Sequence, residues 1–213
     1  MEFMAGRLLP LFPLDVALLP HARLPLHIFE LRYKEMIGEC LEQESEFGVV
    51  LRRAEGILRT GCTATIVDVL KRYDDGRLDI LAIGRRRFEV DGIDNQRSFP
   101  RGEVRFYQDS EYDEPAAETV SKARQAYALL TDISGQDTPD ERAPELSFRL
   151  AAISDDHDFR QMLLASLSEA ERMEKVAEHL AWLVFRKQTQ RAIKKVARSN
   201  GHGRHVAEFG EEK

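Results

Sequence analysis

The chain is poor in the residues that staple, anchor or catalyse. Of its 213 residues only two are cysteines, Cys40 and Cys62, which excludes a disulfide framework and a zinc constellation. Both are expected to be buried and reduced, because free cysteine packs as a small hydrophobe. No window supplies the roughly 20 unbroken apolar residues of a spanning helix. The apolar N-terminal run is interrupted by Asp15, His21, Arg23 and four prolines, which separates it from a secretory signal. The expectation is a soluble, cytoplasmic protein with no membrane partner. There is no glycine-rich loop followed by Lys-Ser/Thr, no G-x-S-x-G, no H-E-x-x-H and no C-x-x-C. The chain thus shows neither a cradle for nucleotide phosphates nor a familiar catalytic set, and no cofactor, metal or catalytic residue is expected.

Net positive charge is confined to the end of the chain. From Arg186 to His205 there are seven Lys and Arg and no acid; since the whole chain carries −6, the rest carries −13. An acidic body repels a phosphate backbone, which argues against a general nucleic-acid role outside the basic stretch.

What is present reads as two regions. A chain of this size can bury roughly 70% of the surface its unfolded form exposes, so a packed core needs no staple. "LPLFPLDVALLPHARLPLHIFELRY", Leu9 to Tyr33, places Pro10, Pro13, Pro20 and Pro25 in an apolar run. Proline lacks a ladder N–H, so "LLPLF", "VALLP" and "RLPLHI" are expected as short strands joined by bends. Phe29, Tyr33, Met36, Ile37, Cys40 and Leu41 recur at helical spacing, and "FGVVLRR" follows as a strand. "GCTATIVDVLKRY" and "RLDILAIGRRRFEVDGI" flank Asp74-Asp75-Gly76, a hairpin signature. Leu78, Ile80 and Ala82 alternate with Asp79, Leu81 and Ile83, which makes this strand apolar on both faces and central. "GEVRFYQ" gives one more strand.

After "DSEYDEP" the period changes from two to 3.6. Helical stripes run through Val120, Ala123, Tyr127 and Leu130; through Leu146, Leu150 and Ile153; through Phe159, Met162, Leu163 and Leu167; and from Met173 to Val184. Ser168 and Glu171 form a capping box that starts the last of these. The fold class is α+β: a mostly β domain over 1–112 with one helix, a helical bundle over 113–199, and a disordered tail over 200–213.

Three local clusters invite a functional reading. "DDHD", Asp155 to Asp158, resembles a metal cluster, but acids at a helix start more often cap it. "RRR", Arg85 to Arg87, resembles a phosphate grip, but a solvated strand face is the expectation. His27, with Glu30 and Tyr33 nearby, either lines a groove or sits satisfied at a strand end.

The opening run, then "FGVVL", "GCTATIVDV", "DGRLDILAIGRRRFEV" and "LSFRLAAI…FRQMLLASLSEAERMEKVAEHL", together resemble the N-terminal substrate-binding domain of the ATP-dependent Lon protease family from about Leu8 to Phe185. The resemblance implies a PUA-like β-barrel followed by a helical bundle, and a non-catalytic protein that recognises unfolded or exposed polypeptide segments. The chain stops before an ATPase or protease module could begin, so it resembles a free-standing N-domain. The family's usual H-I-F-E-P-R-Y stands here as residues 27–33 with leucine at position 31. The peptide-binding residues expected from this segment are Phe12, Leu26, His27, Glu30, Arg32 and Tyr33. The alternative is a nucleic-acid-associated PUA-like module using the basic C-terminal helix; homodimerisation is left open.

Overall fold

The computed structural model describes residues 8–110, 113–131 and 138–200, with side chains through residue 194. Six strands come first: β1 (Leu9–Leu14), β2 (Arg23–Ile28), β3 (Phe47–Arg53), β4 (Gly56–Arg72), β5 (Leu78–Asp94) and β6 (Arg101–Phe106). A single helix, α1 (Leu31–Glu42), separates β2 from β3. The helices α2 (Ala117–Thr131), α3 (Leu146–Ala151), α4 (His157–Ala165) and α5 (Glu169–Asn200) follow. No helix among the described residues is long and apolar enough to cross a membrane. The expected division at 112/113 falls on residues outside those described, as does nearly all of the expected tail.

The strands close on themselves. The sheet order is β2-β5-β4-β3-β1-β6, and β5 pairs with β6 as well, which makes a five-stranded ring with β2 attached outside it. β5 can serve three partners because it is 17 residues long: its first half carries β2 and its second half carries β6. Its expected central place is what the structure shows. Leu11, Val50, Phe88 and Val90 fill the ring as a cluster of their own. The space is narrow; a Cβ on Gly48 would lie 2.7 Å from both Leu9 and Phe88. The larger core packs the outside of the strands against α1 and the later helices.

The prolines behave mostly as the ladder rule requires. β2, with Pro25, is an edge strand paired only with β5 among the described residues. β1 departs from the expectation, since it lies between β3 and β6; its pairing with β6 covers only Leu9 and Pro10, which leaves Pro13 beyond it. "VALLP" is no strand. Ala17, Leu18 and Leu19 are buried in a loop, because Pro20 and a left-handed His21 (φ 65°) divert the chain before its backbone bonds to Gly84. Gly76, at φ 78°, makes the reversal between β4 and β5.

The helical region is locked to the ring by a buried ionic cluster that no sequence motif marks. Arg87 is almost fully buried, which corrects the expectation of a solvated "RRR" face; only Arg85 and Arg86 are exposed. The register slip between Cys62 and Ala64 on β4 breaks simple alternation here. The Arg87 guanidinium donates to Asp109 and, at 2.5 Å, to the Ser166 carbonyl at the end of α4. Arg172 of α5, also buried, donates to Asp109 at 2.7 Å, to Glu169 at 2.6 Å and to Ser147 at 3.0 Å. Both guanidinium groups lie over the Phe148 ring, at 5.2 and 4.3 Å. One carboxylate thus joins a strand and a helix from opposite regions.

The helix signals resolve as caps. Ser168 Oγ accepts the Glu171 N–H at 2.9 Å. Asp156 accepts the Phe159 N–H at 2.9 Å and starts α4, which is the capping role expected of "DDHD". Among the described residues no cluster of three or more acids, histidines or cysteines could hold a metal. Two expected stripe members are exposed instead. Met162 stands off the buried line of Phe159 and Leu163, and Leu167 lies past the end of a nine-residue helix.

Candidate functional site

The junction of β2 and α1 collects most of the sequence's candidate residues, and the structure divides them. Phe12 and Tyr33 are core: their rings stack at 4.2 Å, both nearly inaccessible, and burial pushes the Tyr33 phenol upward. They support the segment from beneath. Leu26 is half-buried against the same core. His27, Glu30 and Arg32 remain at the surface, where Arg32 donates to Glu30 at 2.9 Å.

The residues that sequence reasoning misplaced matter most. Phe29, assigned to the inner stripe of α1, is 61% exposed, because the helix starts two residues later with Glu30 as its extended N-cap. Leu31 is 83% exposed. It occupies the first helical position, the one place in a helix that accepts proline as readily. The proline-to-leucine departure therefore leaves the helix start in place and adds an apolar side chain to the surface. That departure was the only signal in the sequence for it.

His27 is held in a fixed orientation. Its Nδ1 lies 2.5 Å from Asp79 Oδ1 across the β2–β5 pair, and Tyr73 donates its hydroxyl to the other Asp79 oxygen at 2.8 Å. The His27 and Tyr73 bonds, in that order, hold the Asp79 carboxyl below its usual range. An ionised Asp79 accepts from Nδ1 and so fixes the orientation of the ring. The Phe29 ring flanks His27 at 6.0 Å and the Tyr73 ring meets it edge-on at 5.8 Å. Lys71 and Arg77 lie over Tyr73 at 4.4 and 4.7 Å. Lys34 of α1 donates to the Asp75 carbonyl at 2.8 Å, which ties the helix to the hairpin turn.

Further apolar surface comes from irregular pairing. The β4–β5 register slips between Ile66 and Asp68 and again between Val69 and Lys71. The residues skipped, Val67 and Leu70, are both exposed. Bulges re-aim side chains in this way, and a period-two reading cannot locate them. Their stretch of β4 pairs with Leu78–Ala82 of β5, the stretch that carries β2 on its other side. The whole forms a three-stranded layer whose β2 edge is unpaired among the described residues, with exposed apolar side chains and one oriented histidine. Among the described residues of this layer no nucleophile is paired with a base.

Known proteins share this architecture. Residues 8–181 match the family model of the ATP-dependent protease La (LON) substrate-binding domain. The crystal structure of a Lon N-terminal domain protein from Xanthomonas campestris superposes with a TM-score of 0.66 at 29% identity, covering 83% of this chain and 99% of that one. The N-terminal domain of a Mycobacterium avium complex Lon protease has the same fold, with a TM-score of 0.62 at 15% identity over 82% of this chain and 98% of that one. A Lon protease from Parabacteroides distasonis is 27% identical over 117 residues, which are 51% of this chain and 14% of that protein's length. On the match over residues 8–181, the chain belongs to the Lon substrate-binding domain family.

Proposed function

We propose that this protein captures unfolded or otherwise exposed polypeptide segments in the cytoplasm at the β2–α1 junction, and performs no chemistry on them. The observation that carries the reading is the pair of large apolar side chains, Phe29 and Leu31, held in solvent next to a strand edge that is unpaired among the described residues. An extended segment adds to β2 by main-chain hydrogen bonds, which are indifferent to sequence, while side chains on alternate positions meet the apolar residues. Pro25 cannot donate, so the added strand is bound along part of the edge only. His27, oriented by Asp79, offers a fixed polar anchor. In this reading a β domain over 1–112 is the recognition domain, and a helical bundle over 113–199 is its support.

Affinity is expected to be modest, with a dissociation constant on the order of micromolar or weaker, because a flexible segment loses conformational entropy on binding. Fluorescence anisotropy with a labelled unfolded protein, its native form as control, tests this. Binding of the unfolded form alone, weakened roughly fivefold or more in Phe29→Ser/Leu31→Ser, is the expected result, since each truncated apolar side chain removes buried area worth on the order of 1 kcal/mol. Equal binding of both forms, or a double variant that binds as well as the parent, refutes the site. ATP or peptide hydrolysis by the pure protein refutes the non-catalytic part.

A further inference from the structure

We propose that α5 carries a self-complementary interface through which two copies of this chain pair antiparallel, with the two-fold axis at Trp182. This surface is separate from the peptide-binding reading and does not depend on it.

α5 runs for 32 residues, about 48 Å at 1.5 Å per residue. Its inner stripe, Arg172, Met173, Val176 and Leu180, is buried against the body. The opposite side presents Glu178, Trp182 and Arg186 at four-residue spacing, all exposed, which puts them in one row. Trp182 is 52% and its neighbour Phe185 66% exposed, and Ile193 is exposed two turns on. Large apolar groups gathered on one helix face mark an interaction surface more than scattered ones do. A cleft of about 550 Å³ opens beside the row, walled by Trp182, Leu183, Leu130 and Ile153.

The row identifies its own partner. An acid lies four residues before the tryptophan and a base four residues after it. A two-fold axis through Trp182 therefore sets Glu178 of each copy against Arg186 of the other and brings the two indoles together. Such an interface is isologous, the pattern of most homodimers. Among the described residues Glu178 has no ion-pair partner, and Arg186 meets only the Trp182 ring, at 5.3 Å. Parallel pairing would place Arg186 against Arg186, so the charges select the antiparallel arrangement. The apolar neighbour Phe185, on the same outer side, is withdrawn from water when the copies meet.

Sedimentation equilibrium of the full chain, from low micromolar to high micromolar concentration, tests the proposal. A monomer–dimer equilibrium is expected, with a dissociation constant on the order of tens of micromolar, weakened by salt because the pairs are near the surface. Glu178→Arg and Arg186→Glu should each weaken it at least about tenfold, and the combined swap should restore it to within about threefold. Trp182 is the chain's one tryptophan, so its emission should shift to the blue as the dimer forms. Circular dichroism checks that the variants fold, which exposed positions favour. A monomer at every concentration, a dimer indifferent to both reversals, or a folded swap variant that stays monomeric overturns the proposal.

Discussion

Removing the Asp109 carboxylate is the most informative single perturbation of the fold. Asp109→Ala leaves the buried guanidiniums of Arg87 and Arg172 without the acid that joins them. Breaking a buried pair from one side costs about 3–5 kcal/mol, because a charge stays behind uncompensated. Here the lower end applies. Arg172 keeps Glu169, and Arg87 keeps the Ser166 and Leu164 carbonyls, so about 3 kcal/mol is expected from that range. For a chain of this size that lowers Tm by about 6–12 °C. Asp91→Ala serves as the control: its pair with Arg105 is exposed and should cost under about 1 kcal/mol. The acid limb gives a second readout. Burial pushes the Asp109 carboxyl up, but hydrogen bonds and charge from Arg172 and Arg87 outweigh it, and the net direction is down. A depressed carboxylate contributes stability above its unfolded pKa and loses it as pH falls through the folded one, so Asp109→Ala should flatten the stability decline below about pH 4. Thermal melts by calorimetry and urea titrations at pH 7 and pH 3.5 measure both effects. A loss at pH 7 no larger than that of Asp91→Ala would refute the reasoning.

Three smaller effects follow from the same packing. Cys62 is fully buried, which pushes its thiol well up, and Cys40 lies in the core; a thiol reagent should label both slowly in the native protein and fast in denaturant, and rapid native labelling of either contradicts the packing. Gly61→Ala places a Cβ 2.5 Å from the Val49 carbonyl and 2.6 Å from Phe88, which should cost about 1–3 kcal/mol as overpacking; an unchanged urea midpoint would show that the ring has room to yield. Burial holds the His179 imidazole below its ordinary value, stacked on Phe159 at 3.8 Å. Its contribution is therefore full above about pH 6.5 and fades as pH falls through its folded value, so His179→Phe should flatten the stability curve between pH 7 and 5, and an unaltered slope would count against that.

Much of this protein was determined by local sequence. Periodicity separates a strand-rich first half from a helical second half, Asp74-Asp75-Gly76 marks the reversal, Pro25 marks an edge strand, and Ser168 and Asp156 cap the helices they precede. These are short-range effects of backbone sterics and nearby hydrogen bonds, legible wherever the residues stand in line. The candidate surface was only half legible. The segment around His27 was visible, yet Phe12 and Tyr33 prove to be core because β1 and α1 pack face to face, while Phe29 turns outward because the helix starts at Leu31. Val67 and Leu70 reach solvent through bulges, which depend on how two long strands wind around a ring. Arg87 and Arg172 are the clearest case. In the sequence each is one more surface cation, and only the tertiary fold buries both, 85 residues apart, against the same half-buried aspartate.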